Sequence, residues 1–281
     1  MKKTIVVTGV SSGIGAQTAA QLREAGHRVI GVDRNPPTPA DTGAATQANA
    51  EAVTAPQTNA DAGQDFVQLD LSSAESIQAG VAQITELAGG PIDGLANIAG
   101  VPGTAPAEVV MAVNVLGLRD FTQALLPQLA TGAGIVNLAS SVAFDWRSNV
   151  EQASRAVQAE NVEELKADEQ VWALVQDESY LFSKQCVRLL TEKLAASLVQ
   201  QKIRVNSVSP GPVSTPILED FKTDHGREKV EGASKLLGKF GEVAEIADVI
   251  EFLLSDSARW VNGTDIRVDG GLVASRRSGN L

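Results

Sequence analysis

What this chain lacks narrows it quickly. It has one cysteine, Cys186, so no internal disulfide can form. Its two histidines, His27 and His225, stand far apart, and no Cys/His cluster has metal-ligand spacing, so no metal is expected. Positive charge is in deficit: 23 Lys and Arg against 34 Asp and Glu leave a net charge of −11. That excludes the electrostatic footprint of a nucleic-acid binder or of a protein held on an anionic membrane. Apolar runs of membrane-spanning length are missing. Met1-Lys2-Lys3 leads straight into a short strand rather than the apolar core of a signal peptide. A soluble cytoplasmic protein is expected, and 281 residues suit one large α/β domain over 1–281.

What is present begins at Thr8-Gly9-Val10-Ser11-Ser12-Gly13-Ile14-Gly15. The β-branched run Ile5-Val6-Val7 precedes it and the helix-forming run Ala16 to Leu22 follows it. Gly9 lets the chain turn sharply off the strand, Gly13 lets the backbone approach a pyrophosphate, and Gly15 lets helix and strand pack tightly. The N–H groups and the positive end of the helix dipole then face the phosphates. The spacing is not G-x-G-x-x-G, and taken alone it also fits a turn without a ligand. A second buried strand, Arg28 to Val32, ends in Asp33. An acid there accepts from both ribose hydroxyls of NAD and repels a 2′-phosphate, which favours NAD over NADP. Arg34 is the feature that would instead hold that phosphate, and a solvated strand-end acid is the bland alternative.

Pro36 to Gln64 is rich in Ala, Thr, Pro, Gln and Asn and holds one larger aliphatic residue, Val53. It buries too little to offset its ordering entropy and is expected to be a disordered surface insertion. A third strand spans Phe66 to Leu71, and Ser72-Ser73-Ala74-Glu75 opens a helix with a capping-box pattern. Asp70 and Leu71 then sit where an adenine amino group and ring would lie. Gly94 to Gly100 is a fourth strand ending in Asn97, Ala99 and Gly100, small enough for backbone to lie close to a ligand. A helical stretch from Ala107 to Leu129 contains Asn114. Gly134 to Ala139 is a fifth strand, with Ser140 and Ser141 at its carboxyl end, the edge at which open parallel sheets bind ligands. Residues 145–179 are helical in pattern and acid-rich, fitting a substrate lid or an oligomer contact near the active site. Tyr180 opens a helix to about Gln200. Arg204 to Val208 is a sixth strand, followed by Ser209 to Pro216. Ile217 to Gly238 is polar and mixed and is expected to be mobile, Val243 to Ser255 is helical, and Asp265 to Asp269 is a seventh strand ahead of a polar tail. Strands alternating with helices argue a single doubly wound α/β domain with a parallel sheet of about seven strands.

Tyr180 is the sole tyrosine, and Lys184 lies four residues on, one turn away on the same helix face. A phenol with a pKa of about 10 is a poor base at neutral pH. A neighbouring cation, aided by a positive nicotinamide ring, lowers that pKa and lets Tyr180 exchange a proton with an alcohol as hydride leaves. Ser140 would hydrogen-bond the same oxygen. In isolation such a pair is ordinary helix surface.

The set Thr8-Gly9-x-x-x-Gly13-x-Gly15, Asp70, Asn97-Ile98-Ala99-Gly100, Asn114, Ser140, Tyr180-x-x-x-Lys184 and Pro210-Gly211 resembles the short-chain dehydrogenase/reductase family from Thr4 to Gly271, outside 36–64. The resemblance implies a Rossmann fold and a catalytic tetrad of Asn114, Ser140, Tyr180 and Lys184. Lys184 would also bind the nicotinamide ribose, and Asn114 would hold a water in the proton relay. It implies that Ser11, Ser12 and Ile14 contact the cofactor with the glycines. Pro210, Gly211, Val213 and Thr215 would line the nicotinamide and its carboxamide. The long gap between Ser140 and Tyr180 is similar to the subgroup holding coniferyl-alcohol dehydrogenase and 3α-hydroxysteroid dehydrogenase/carbonyl reductase. The matches lie mostly on the cofactor side, while the insertion would form much of the substrate wall. Phe144, Trp146 and Trp172 either line an apolar site or pack in the core. The implied activity is an NAD-dependent exchange of hydride with a small hydrophobic alcohol, ketone or aldehyde, in a homodimer or homotetramer. A dinucleotide-binding sensor or scaffold without turnover is the reading from another class.

Overall fold

A computed structural model describes residues 2–36 and 65–278. The expected disordered insertion, from residue 37 to its end, lies outside the described residues. The elements run β1 (Thr4–Thr8), α1 (Gly13–Glu24), β2 (Arg28–Asp33), β3 (Asp65–Gln68), α2 (Ala74–Ala88), β4 (Ile92–Asn97) and α3 (Ala107–Met111). A π-turn (Ala112–Gly117) leads into α4 (Leu118–Leu125), β5 (Leu129–Leu138), α5 (Val150–Ala156), α6 (Val162–Ala167) and α7 (Glu169–Leu198). The chain closes with β6 (Arg204–Pro210), α8 (Leu218–His225), α9 (Arg227–Leu237), α10 (Val243–Leu254), β7 (Asp265–Val268) and α11 (Leu272–Ser278).

The strands form one parallel seven-stranded sheet in the order β3-β2-β1-β4-β5-β6-β7. Alternation along β1 shows how both faces are covered. Ile5 and Val7 point to α1 and α10, packing with Leu22, Ile246 and Leu253. Val6 points the other way, into a core shared with α2, α4 and α7 through Ile84, Phe121 and Leu190. Strands buried on both faces read as unbroken β-branched runs, which is why β1, β2 and β6 are visible in the sequence. The order reverses between β1 and β4, so their carboxyl ends part around a crevice, the position at which such sheets bind ligands.

Several boundaries differ from the sequence expectations. The cap of α2 is Ser73 rather than Ser72: its hydroxyl accepts from the Ser76 N–H at 3.1 Å and donates to Glu75 at 3.0 Å. β5 begins at Leu129, where it pairs with Ile92 ahead of an irregularity in the ladder. Residues 217–238, expected to be a polar, mobile region, form α8 and α9 instead, and the polar tail contains α11. The stretch Ala107–Gln128 is, by its 22 residues and composition, apolar enough to span a membrane, contrary to the expectation of no such run. It is mostly buried, with Val110, Met111, Phe121 and Leu125 in the core.

Candidate active site

The carboxyl ends of β1, β4, β5 and β6 open onto a cleft of about 840 Å³. One end is the glycine turn. Gly9 has φ +77°, and a Cβ on it would lie 2.9 Å from the Ala99 nitrogen. A Cβ on Gly15 would lie 2.0 Å from the Gly9 carbonyl oxygen, so the first turn of α1 seats directly on the end of β1. Gly13 has φ +56° and faces Thr215 across the cleft. The Ser12 side chain makes no capping bond to α1, and the first turn holds no acid. Ser11, Ser12, Gly13, Ile14 and Gly15 therefore line the cleft with a helix N-terminus that no side chain neutralises, which suits a pyrophosphate.

The other cofactor-side residues divide into lining and scaffold. Asp33 faces the cleft, accepting from the Ser11 N–H at 3.0 Å through one oxygen and from the Asn35 N–H at 3.2 Å through the other. A carboxylate has about four lone-pair sites, so it retains capacity for hydroxyl donors. Asp70 also lines the cleft, beside Leu71, and the Ser72 hydroxyl at 2.7 Å holds its carboxyl below the usual range. Ala99, Gly100, Pro210, Gly211, Val213 and Thr215 are lining residues too. Thr8 contributes chiefly from beneath: its hydroxyl accepts from the Ile98 and Ala99 N–H groups at 2.9 and 3.0 Å, locking β1 to the end of β4. Asn97 does not line the cleft. It is buried, donating to Thr122 and Asn137 at 2.9 Å each, while Asn137 donates to Thr191 at 3.0 Å. This buried ladder joins β4 and β5 to α4 and α7.

The chemical groups meet where β5 ends against α7. Glu178 has φ −143° and ψ 72°, a break in α7 from which the helix restarts just ahead of Tyr180. Tyr180 hydrogen-bonds Ser140. Ser141, its buried neighbour, lines the same cleft. Lys184 Nζ lies 5.5 Å from the Tyr180 ring centroid and donates to the Leu138 carbonyl at 2.8 Å, which anchors the ammonium to the strand that presents Ser140. Asn114 sits in the π-turn, a local widening of the helix that recurs at functional sites. Its amide donates to the Val101 carbonyl at 3.0 Å and to Ser183 at 3.2 Å, and its oxygen accepts from the Val101 N–H at 2.8 Å. A Cβ on Gly100 would come within 3.1 Å of Asn114 Oδ1 and 3.6 Å of Lys184 Nζ, so the strand end, the π-turn and α7 converge at one point.

The titration of the pair departs from expectation in one respect. Burial pushes the Tyr180 phenol above its ordinary value, Asp224 acts in the same direction, and the hydrogen bond from Ser140 opposes them. Burial also pushes Lys184 down, to about 8. A further positive charge in the cleft would favour the phenolate.

Apart from Phe144, the wall of the cleft that faces Tyr180 was not foreseen. Phe221 of α8 packs on Tyr180, ring centroids 5.0 Å apart and tilted by 55°. Leu218 of α8, Val230 and Ala233 of α9, and Leu272 and Val273 of α11 continue this wall. The apolar pairs Leu218/Phe221 and Val230/Ala233, each three residues apart, are the signal by which these helices could have been found. Residues 145–179 do not cover the cleft, since Glu178 is their one lining member. They dock on the outer helical layer instead. Trp146, Ala153, Leu165 and Val171 join the core there, and the Arg119 guanidinium donates to the carbonyls of Val157 and Ala159. Trp146 is core, Trp172 packs against it, and Phe144 is the aromatic residue of the three that lines the cleft.

Residues 3–153 match the family model described as short chain dehydrogenase, and residues 164–273 match one described as enoyl-(acyl carrier protein) reductase. The coniferyl-alcohol dehydrogenase of Pseudomonas sp. (strain HR199 / DSM 7063) is 36% identical over 274 residues, covering 97% of each chain. The chain belongs to the short-chain dehydrogenase/reductase family. The 3-alpha-hydroxysteroid dehydrogenase/carbonyl reductase of Comamonas testosteroni is 29% identical over 97% of each chain. Among solved structures, the 3-alpha-hydroxysteroid dehydrogenase of Pseudomonas sp. B-0831 complexed with NADH superposes with a TM-score of 0.74 at 28% identity, covering 98% of both chains. This short-chain dehydrogenase/reductase is thus an oxidoreductase whose relatives are named for alcohol dehydrogenation and whose solved relative holds a nicotinamide cofactor.

Proposed function

We propose that this protein is an NAD-dependent dehydrogenase that exchanges hydride with a hydrophobic alcohol or its carbonyl partner, an aromatic allylic alcohol such as coniferyl alcohol being the leading candidate. The observation that carries the reading is the hydrogen bond between Ser140 and Tyr180 with Lys184 5.5 Å away, at the floor of a cleft whose other end is an uncapped helix N-terminus. A binding module has no use for that arrangement.

The glycine turn and the start of α1 would hold the pyrophosphate, Asp33 the adenine-side ribose, and Asp70 with Leu71 the adenine. The segment Pro210 to Thr215 would border the nicotinamide. The cofactor supplies a hydride acceptor or donor. Tyr180 carries the proton: as hydride leaves the carbinol carbon, its phenolate oxygen takes the hydroxyl proton, and in the reverse direction its phenol returns it. Ser140 donates to the same substrate oxygen and steadies the charge that develops there. Lys184, fixed on the Leu138 carbonyl, offsets the cost of a buried phenolate. Asn114 fastens the loop after β4 to the π-turn and, through Ser183, to the first turn of the helix bearing Tyr180, whose carbonyl Ser183 meets at 2.7 Å.

Asp33 favours NAD over NADP by charge and position, with Arg34 the opposing feature. Phe144, Phe221, Leu218 and Val230 make the substrate wall apolar, which suits an arylpropenol. The similarity to 3-alpha-hydroxysteroid dehydrogenases supports a steroid alcohol as the second reading. The test is reduced-cofactor formation from coniferyl alcohol, cinnamyl alcohol and a 3α-hydroxysteroid, each with NAD and with NADP. Turnover of an allylic alcohol with NAD is expected. Turnover of the steroid alone selects the second reading, and silence on all three with intact cofactor binding contradicts both.

A further inference from the structure

The cleft is uneven in charge. The chain as a whole carries −11, yet Lys229 on α9 and Arg276 and Arg277 on α11 line the cleft together with exposed side chains. Nearby cations are paired: Lys222 and Arg227 meet Glu219, and Lys239 meets Glu245. Among the described residues, Lys229, Arg276 and Arg277 have no such carboxylate partner. Their position is fixed by the fold. Asp269, at the end of β7, accepts from the Gly271 and Val273 N–H groups at 2.9 Å each and so clamps the start of α11 to the sheet. The Arg277 guanidinium then lies 5.1 Å over the ring of Phe144, in the segment that follows Ser140. Arg277 therefore stands beside Phe144, and Lys229 directly precedes Val230 of the apolar wall, whose lining also includes Glu178.

An apolar wall ending in a cluster of unneutralised cations is built for a ligand with a hydrophobic body and an anionic end. We infer that the substrate carries an anionic oxygen group, carboxylate-like, at the end remote from its carbinol, and that Lys229, Arg276 and Arg277 receive it. The opposite end of such a molecule would be steered toward Tyr180, where Glu178 lines the cleft and repels a like charge. The inference rests on the dehydrogenase reading above and narrows it, from neutral alcohols such as coniferyl alcohol to alcohols that carry an anionic end.

The test is calorimetric titration of the protein saturated with NADH, a condition in which alcohol and reduced cofactor cannot react. The probes are cinnamyl alcohol and its ring 4-carboxylate. An exposed charge contact changes affinity by up to about fivefold, so three acting together predict a preference for the carboxylate on the order of tenfold. The preference should shrink as salt is raised. It should vanish in Lys229→Gln/Arg276→Gln/Arg277→Gln, with NADH affinity unchanged. Equal binding of the two probes, no binding of the carboxylate, or a preference that ignores salt and survives the triple change would overturn the inference. Loss of NADH affinity in the triple variant would also overturn it, because the cations would then serve the cofactor. Turnover of neutral cinnamyl alcohol with NAD reports on the dehydrogenase reading separately, so the two can fail independently.

Discussion

In the mechanism proposed for it, Tyr180 takes on a task that its own chemistry opposes. Burial raises its pKa, so the proton it must give up is held more tightly than in water. Only positive charge brought close can reverse that, and the Lys184 ammonium is held 5.5 Å from its ring centroid. Removing the phenol while keeping the ring isolates this role. Tyr180→Phe should lower kcat by about a thousandfold, the usual scale of a lost general acid–base group. It should leave NADH affinity within about tenfold, as read by fluorescence titration, since one lost hydrogen bond is worth about 0.5–1.5 kcal/mol. Lys184 makes a second prediction. Its pKa is pushed down to about 8 in the folded chain, so the folded state releases this proton before the unfolded state does. Its contribution to stability therefore rises as pH climbs from about 8 toward the ordinary lysine range. Tyr180, raised, acts the other way once pH passes about 10. Cys186, whose thiol is pushed up by burial, acts against this rise from about pH 8.5, so the rise is read as a difference: in denaturant unfolding the native protein should gain stability relative to Lys184→Met between about pH 8 and about 10. A difference that stays flat with pH would contradict the assignment to Lys184.

Among the elements, the glycine turn and the 145–179 insertion test opposite things. Gly15→Ala places a methyl 2.0 Å from the Gly9 carbonyl oxygen. The turn must open, at a cost of about 2 kcal/mol or more, and NADH affinity should fall with it. Arg119→Ala leaves the carbonyls of Val157 and Ala159 without their charged donor. Thermal unfolding should show a loss of about 2 kcal/mol while kcat stays near the native value, because α5 and α6 dock away from the cleft. A large fall in kcat would place the insertion in the site after all. The same contrast explains what was legible. Strands and the glycine turn were, because Ile5-Val6-Val7 and the spacing from Gly9 to Gly15 are local signals of a sheet buried on both faces. Tyr180 and Lys184 were, because four residues are one helical turn. Asn97 was misplaced, since its partners Thr122 and Asn137 are 25 and 40 residues away and only the folded sheet brings them together. The helices α8, α9 and α11 were missed because what they bury is a wall of the cleft, and their few apolar points are diluted by charged, exposed residues.

As a whole molecule, the protein is a parallel sheet with a cofactor half made by strand ends and a substrate half made by later helices. In the proposed reading the ends of β1 to β4 and the segment after β6 build the first half, while α8, α9 and α11 close the second over Tyr180. Hydride must cross from one half to the other, and that crossing is the central claim. It is tested by supplying an allylic alcohol deuterated at its carbinol carbon together with NAD and examining the recovered cofactor by mass spectrometry. The account predicts deuterium in the reduced cofactor from the native protein and almost none formed by Tyr180→Phe. Reduced cofactor without deuterium, or equal transfer by the variant, would contradict it.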